Sequence, residues 1–144
     1  MADVSDIAIR EAYDDVRSDK STTNWLVLDY DGDKSDKLKL TGSGSGGLDE
    51  LKKELSDDRA SFAYARVTYA NDKESTRDKF VFITYSGANV KVMRKAKLSV
   101  HKSDVQSIIR AFSIEVPANS LDDLAEDPIV VRLRKAGGAS YDKA

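Results

Sequence analysis

The segment "ASFAYARVTYA", residues 60–70, alternates apolar residues with polar or small ones, and beyond the charged stretch "NDKESTRD" a second apolar run follows, "KFVFITY". Alternation with period two places side chains on the opposite faces of a strand, and two strands joined by so short a connection form an antiparallel hairpin. A chain with this hairpin at its centre is committed to a β-sheet. The hairpin also raises a question of charge. Arg77 and Lys79 stand at the mouth of its second strand, where charge normally fades into the core. In strand geometry they point to one side, two residues apart, and anchor a charged loop to a rigid stem.

The remaining segments supply partners for that sheet. Ile9, Ala12, Tyr13 and Val16 recur at helical spacing, which predicts a helix over residues 5–18 with Ser5 as its cap and Asp6 in its first turn. "TNWLVLDY" reads as a strand, "DGDKSD" as a turn and "KLKLT" as the returning strand of another hairpin. Leu48, Leu51 and Leu55 mark a short helix, and residues 90–112 a long one, with Val92, Met93 and Ala96 on its early stripe and a break at Ser99 and Val100. After the short strand "SIEVPA", Ser120 caps a last helix that Pro128 kinks or divides and that Gly137 and Gly138 end. The expected order is αββαββαβα: an α+β fold with a central mixed sheet sandwiched between helices. A chain of 144 residues supports one core of this kind, assigned to residues 1–136, with 137–144 as a flexible tail.

Composition removes several classes of function. There is no cysteine, and the one histidine, His101, lies in the polar run "SVHKSD", so disulfides, thiolate zinc sites and a Cys–His nucleophile are excluded. "DYDGDKSD" carries Asp29, Asp31, Asp33 and Gly32 but lacks the glycine and glutamate spacing and the flanking helices of a calcium loop, and reads as an acidic turn. "GSGSGG", residues 42–47, formally matches a dinucleotide fingerprint. It follows the second arm of a hairpin with no parallel βαβ unit around it, and is better read as a flexible connection. A nucleotide-binding enzyme using these residues is the competing reading from another class; no G-x-S-x-G setting supports a serine nucleophile. Neither a signal peptide nor a run of roughly 20 apolar residues is present, and a soluble, cytoplasmic monomer without metal or cofactor is expected.

The net charge of −2 conceals an asymmetry. Residues 1–58 hold 15 acids against 8 bases, and residues 59–144 hold 10 acids against 15 bases. The bases fall in three places: Arg77 and Lys79 on the hairpin; Lys91, Arg94, Lys95, Lys97, Lys102 and Arg110 along the long helix; and Arg132, Arg134 and Lys135 near the end of the last helix. Cations at a helix C-terminus also complement its dipole, and a charge run on a helix is usually a solvated face. Convergence of the three on one surface would fit an acidic partner. With a sequence pI of about 5.5 and no RNP-type aromatic pattern, that partner is a protein surface and not nucleic acid.

The order of elements, the hairpin "RDKFVFITYSG", the helix "RKAKLSVHKSDVQSIIRAF" and the C-terminal "LDDLAEDPIVVRLRKAGGASYD" together resemble the coactosins, a branch of the cofilin-like actin-depolymerising factor homology family. The resemblance covers nearly the whole chain. It implies a cytoskeletal, non-enzymatic protein that binds the sides of actin filaments without strong severing and opposes capping, with a monomeric-actin-binding or scaffold module of the same fold as the alternative. The hairpin and the final helix would form the filament site, and the long helix would face the cleft of an actin subunit. By match to the family's motifs Lys79 is the principal filament-binding residue, with Arg77 and Lys135 beside it and Arg134 adjacent, while Lys95, Lys97 and Lys102 occupy basic positions of the long helix. Thr76 and Asp78 replace a lysine and a serine common in that hairpin, which lowers its positive charge. The N-terminal phosphorylation switch of cofilins is not carried over to Ser5.

Overall fold

The computed structural model describes residues 1–32, 34–70 and 75–141, and side chains as far as residue 136. The first helix, α1 (Ile7–Arg17), buries Ile9, Ala12, Tyr13 and Val16, the stripe that the spacing requires. Its cap is Asp6 and not Ser5: the Asp6 carboxylate accepts from the Ala8 N–H, whereas the Ser5 hydroxyl donates to Asp3. Strands β1 (Trp25–Tyr30) and β2 (Leu38–Gly44) pair as a hairpin, and a positive φ of 109° at Gly32 shapes the turn between them. Helix α2 (Gly47–Lys52) follows, then β3 (Ala60–Ala70) and β4 (Thr76–Ser86), whose register runs unbroken from Ala60 opposite Ser86 to Ala70 opposite Thr76. Helix α3 (Val92–Gln106) crosses over the sheet and lays β5 (Ile114–Ala118) parallel to β4. A single 3₁₀ turn, Leu121–Leu124, leads into α4 (Glu126–Tyr141).

Strand order is β2-β1-β3-β4-β5, all antiparallel except the last pair, so the expected mixed sheet is present. Alternation along the strands divides the core in two. Trp25, Val27, Ala63, Ala65, Val67, Val81 and Ile83 pack against Leu48 and Leu51 of α2 and Ile129 and Leu133 of α4. Leu26, Leu28, Phe62, Tyr64 and Phe82 face the other way, against α1 and the Leu98 and Val105 side of α3. The result is a sheet with a helix pair on each face.

Several expectations yield to tertiary detail. Gly42 and Gly44 are strand residues paired with Val27 and Trp25, not a flexible connection. They are glycines because the Trp25 indole lies across them: a Cβ on Gly44 would fall 2.9 Å from the ring and 2.0 Å from Glu50 Oε1, which accepts the Trp25 Nε1–H at 2.9 Å. Asp29 lies in the strand read from "TNWLVLDY". It is buried in β1, where a bulge opposite Val27 and Leu28 turns the Thr41 hydroxyl onto its carboxylate; Ser61 donates to it as well, and Arg59 stands 3.5 Å away. Buried charge is tolerated when it is hydrogen-bonded and paired in this way.

Helix α3 runs without a break through Ser99 and Val100, and Ile108, Ile109 and Phe112 lie beyond its end. In the last helix the interruption precedes Glu126, and Pro128 sits in the first turn, where an N–H has no helical acceptor and a proline does no harm. Ser120 makes no side-chain capping bond there. Gly137 and Gly138 lie within α4, which continues to Tyr141. Residues 71–74 of the expected charged loop, Asp33 of the acidic turn and residues 142–144 lie outside the described residues.

Candidate functional site

Strand β1 pairs with β3 only from Ser61 to Ala65, and β5 pairs with β4 only from Val81 to Tyr85. Beyond those limits the β3–β4 ladder continues for five more pairs, Arg66 opposite Phe80 through Ala70 opposite Thr76; the Arg66 N–H still donates to the Asn24 carbonyl and the Phe80 carbonyl accepts from the Ser113 N–H, so the last four pairs form a two-stranded arm about 13 Å long. Thr76, Arg77 and Asp78, expected in the loop, belong to this arm.

The face of each residue on the arm follows from its parity. Arg77 and Lys79, opposite Tyr69 and Val67, lie on the same face as α4. There the Arg134 guanidinium donates to the Ala70 carbonyl at 2.9 Å and lies 5.6 Å from the centroid of the Tyr69 ring, so the C-terminal half of α4 is pinned to the arm. Lys135 is the next residue and is exposed. The structure thus brings Arg77, Lys79 and Arg134 to one face of the arm, and Lys135 follows Arg134 on α4. Among the described residues no carboxylate lies within ion-pair distance of Lys79 or Lys135. Asp78 points to the opposite face and accepts from the Thr68 hydroxyl at 2.5 Å, which separates it from the two bases that flank it in sequence.

The third basic segment does not join this cluster. α3 lies on the other side of the sheet, and its first turns sit near the β1–β2 turn: Arg94 donates to the Ser35 carbonyl at 3.1 Å and Lys97 pairs with Asp36 at 3.1 Å. Nine residues of β4 separate Arg77 from Ser86 at that end, a span of about 30 Å. Lys97 and Lys102 are held within the molecule, the latter by Glu115 at 3.0 Å; the Lys97 hydrogen bond lowers the pKa of Asp36, and hydrogen bonds from Gln106 and then Lys102 lower that of Glu115. Lys95 is exposed, with no carboxylate in ion-pair range among the described residues.

Sequence reasoning missed what the outer face of α3 carries. Val92, Met93 and Val100 are 80%, 73% and 68% exposed, so the early apolar positions Val92 and Met93 face outward. Leu98, His101 and Val105 form the buried side instead. His101 is 3% exposed, with its Nδ1 2.8 Å from the Tyr30 hydroxyl, and Arg94 lies 4.0 Å over the Tyr30 ring. Burial pushes the Tyr30 phenol up to about 12 and holds the His101 imidazole below its ordinary range, against the pull of Asp36. This cluster locks α3 to the β1–β2 turn. The signal available in sequence was a helix with apolar residues on both sides of its wheel.

A cleft of about 520 Å³ opens at the β1–β2 end, lined by Tyr30, Lys34, Arg59, Lys91 and Arg94 among others, and none of residues 42–47 borders it. Among the described residues no three carboxylates or imidazoles are grouped to hold a metal ion, and no helix is long and apolar enough to cross a membrane.

Residues 1–134 match the family model for cofilin/tropomyosin-type actin-binding proteins, and the chain belongs to that family. Within it the likeness is to the coactosins. Coactosin of Dictyostelium discoideum is 42% identical over 142 residues, covering 98% of this chain and 95% of that one. The crystal structure of coactosin from Entamoeba histolytica superposes with a TM-score of 0.84 at 35% identity, covering 95% of this chain and 97% of that one. The solution structure of mouse coactosin, an actin filament binding protein, gives 0.76 at 32% identity over 99% and 96% of the two chains.

Proposed function

We propose that this actin-binding protein attaches along the sides of filaments through the arm and the α4 residues pinned to it, without strong severing, and so opposes capping at filament ends. The observation that carries the reading is the placement of Arg77, Lys79 and Arg134 on one face of the arm, with Lys135 next to Arg134 along α4, and with Lys79 and Lys135 lacking an internal ion-pair partner among the described residues. A rigid two-stranded stem fixes those charges in space, which lowers the entropy lost on docking against an acidic surface. The filament-binding relative from mouse supports the same partner for this chain. Its place would be the cytoskeleton. Sedimentation with actin filaments over a salt series tests the proposal: co-sedimentation at about 50 mM salt that weakens toward physiological salt is expected. Protein that stays in the supernatant at the low-salt end would refute it.

A second reading, binding of monomeric actin through α3, draws on the exposed Val92, Met93 and Val100 with Lys95 beside them. Exposed apolar side chains grouped on one helix face fit an apolar cleft. Loss of monomer binding in Met93→Glu with filament sedimentation intact would favour it as a separate activity. Loss of both would make α3 part of one continuous contact.

A further inference from the structure

The face of the arm turned away from α4 carries its own arrangement. Phe80 is half-buried at the base of the arm, where β1 and β5 have both ended, and its ring stacks on Tyr64 with centroids 5.5 Å apart and planes 6° from parallel. Two guanidinium groups lie over that one ring, Arg17 of α1 at 5.4 Å and Arg66 of β3 at 5.9 Å. They are held differently. Arg66 donates to the carbonyls of Val16 and Ser18, closing the C-terminal end of α1, so its donor fork is already engaged. Arg17 makes one long bond, 3.4 Å to the Tyr13 hydroxyl, is exposed, and has no carboxylate within ion-pair distance among the described residues.

We propose that Arg17, its guanidinium carbon over the Phe80 ring, is a second anchor for the acidic filament surface that Lys79 engages, so that the partner grips the arm from both faces. The inference rests on the filament reading above. A guanidinium held against aromatic faces keeps its N–H edges outward and has already lost much of its side-chain freedom, which suits it to bidentate pairing with a carboxylate. Lys79 and Phe80 are consecutive residues of β4 and show opposite faces of the arm within one rung of each other, the Lys79 face being the one on which α4 docks. Asp78 on the same face as Phe80 is occupied by Thr68, and Asp14, the nearest acid on α1, pairs with Arg10 at 3.7 Å.

The test is co-sedimentation of the full chain with actin filaments, comparing Arg17→Ala, Arg17→Lys, Arg17→Leu and Lys79→Ala, with thermal midpoints measured for each. Arg17→Ala is expected to weaken binding about tenfold and to flatten its salt dependence, with Arg17→Lys restoring less than half of the loss because the fork is gone. Arg17→Leu keeps an apolar cover on Phe80 and carries the test should Arg17→Ala unfold. Binding that falls with Lys79→Ala but is unchanged in both Arg17→Ala and Arg17→Leu overturns the second anchor and leaves the filament reading standing. Binding that is indifferent to Lys79 as well overturns both.

Discussion

Substituting alanine for Lys79, Lys97 and Lys102 in turn separates a charge that is available to a partner from charges already held within the molecule. Each substitution removes one positive charge, so the long-range attraction to an acidic filament falls equally in all three, by a few tenths of a kcal/mol at physiological salt, where the Debye length is about 8 Å. What differs is the contact. Lys97 and Lys102 sit 3.1 and 3.0 Å from Asp36 and Glu115, with side chains 42% and 39% exposed, and must abandon those carboxylates to reach another. Exposed pairs of this kind are worth about 0–1 kcal/mol, so their loss moves folding stability and filament affinity by about fivefold at most. Lys79 has no such alternative among the described residues, and truncating one side of a docked charge pair costs about 2 kcal/mol, or roughly thirtyfold in Kd. Sedimentation isotherms at fixed salt, with urea unfolding as the stability control, read both quantities. Equal losses for Lys97→Ala and Lys79→Ala would refute the reasoning, because an internal partner would then have made no difference.

Two further outcomes concern stability. Gly44→Ala forces the Glu50 carboxylate away from Trp25 and breaks the 2.9 Å indole bond, so urea unfolding followed by the fluorescence of this lone tryptophan should show a loss of about 1–3 kcal/mol; an unchanged midpoint would mean that the Trp25–Glu50 contact is unimportant. Burial depresses the His101 pKa, so below its ordinary value of 6.5 the unfolded chain takes up a proton that the folded chain resists. The histidine's contribution is therefore present above that pH and is lost as pH falls below it. Thermal midpoints between about pH 7.5 and 5.5 should drop more in the parent than in His101→Gln, and superimposable profiles would contradict this.

The strands were legible because alternation is local: "ASFAYARVTYA" gave β3 its bounds, and parity alone placed Arg77 and Lys79 on one face of β4. What was illegible depended on residues far away in sequence. The glycines of β2 answer to an indole about twenty residues earlier, and no connection-forming propensity reveals that. Lys97 and Lys102 look like Lys95 in sequence, yet Asp36 and Glu115, 61 and 13 positions off, occupy the first two. In α3 the apolar residues lie on both sides of the helix, so the stripe at Val92 and Met93 was indistinguishable from core without knowing which side the sheet would take. The break expected at Val100 rested on β-branching, a weak local preference that the packing of Leu98, His101 and Val105 overrides.

Strand β4 is completed on its two sides at different entropic cost. Pairing it with β3 closes a loop of five residues, 71–75, whereas pairing it with β5 closes 27, 87–113, and the longer closure costs about 1.5 kcal/mol more. The ladder that ends in the arm is therefore the cheaper structure to form early, and the parallel edge is the later addition. The residues assigned to gripping a filament thus also belong to the ladder with the smaller of these two closure costs. Changes that tune attachment along this ladder act on the folding rate, while changes in β5 act mainly on the rate of unfolding.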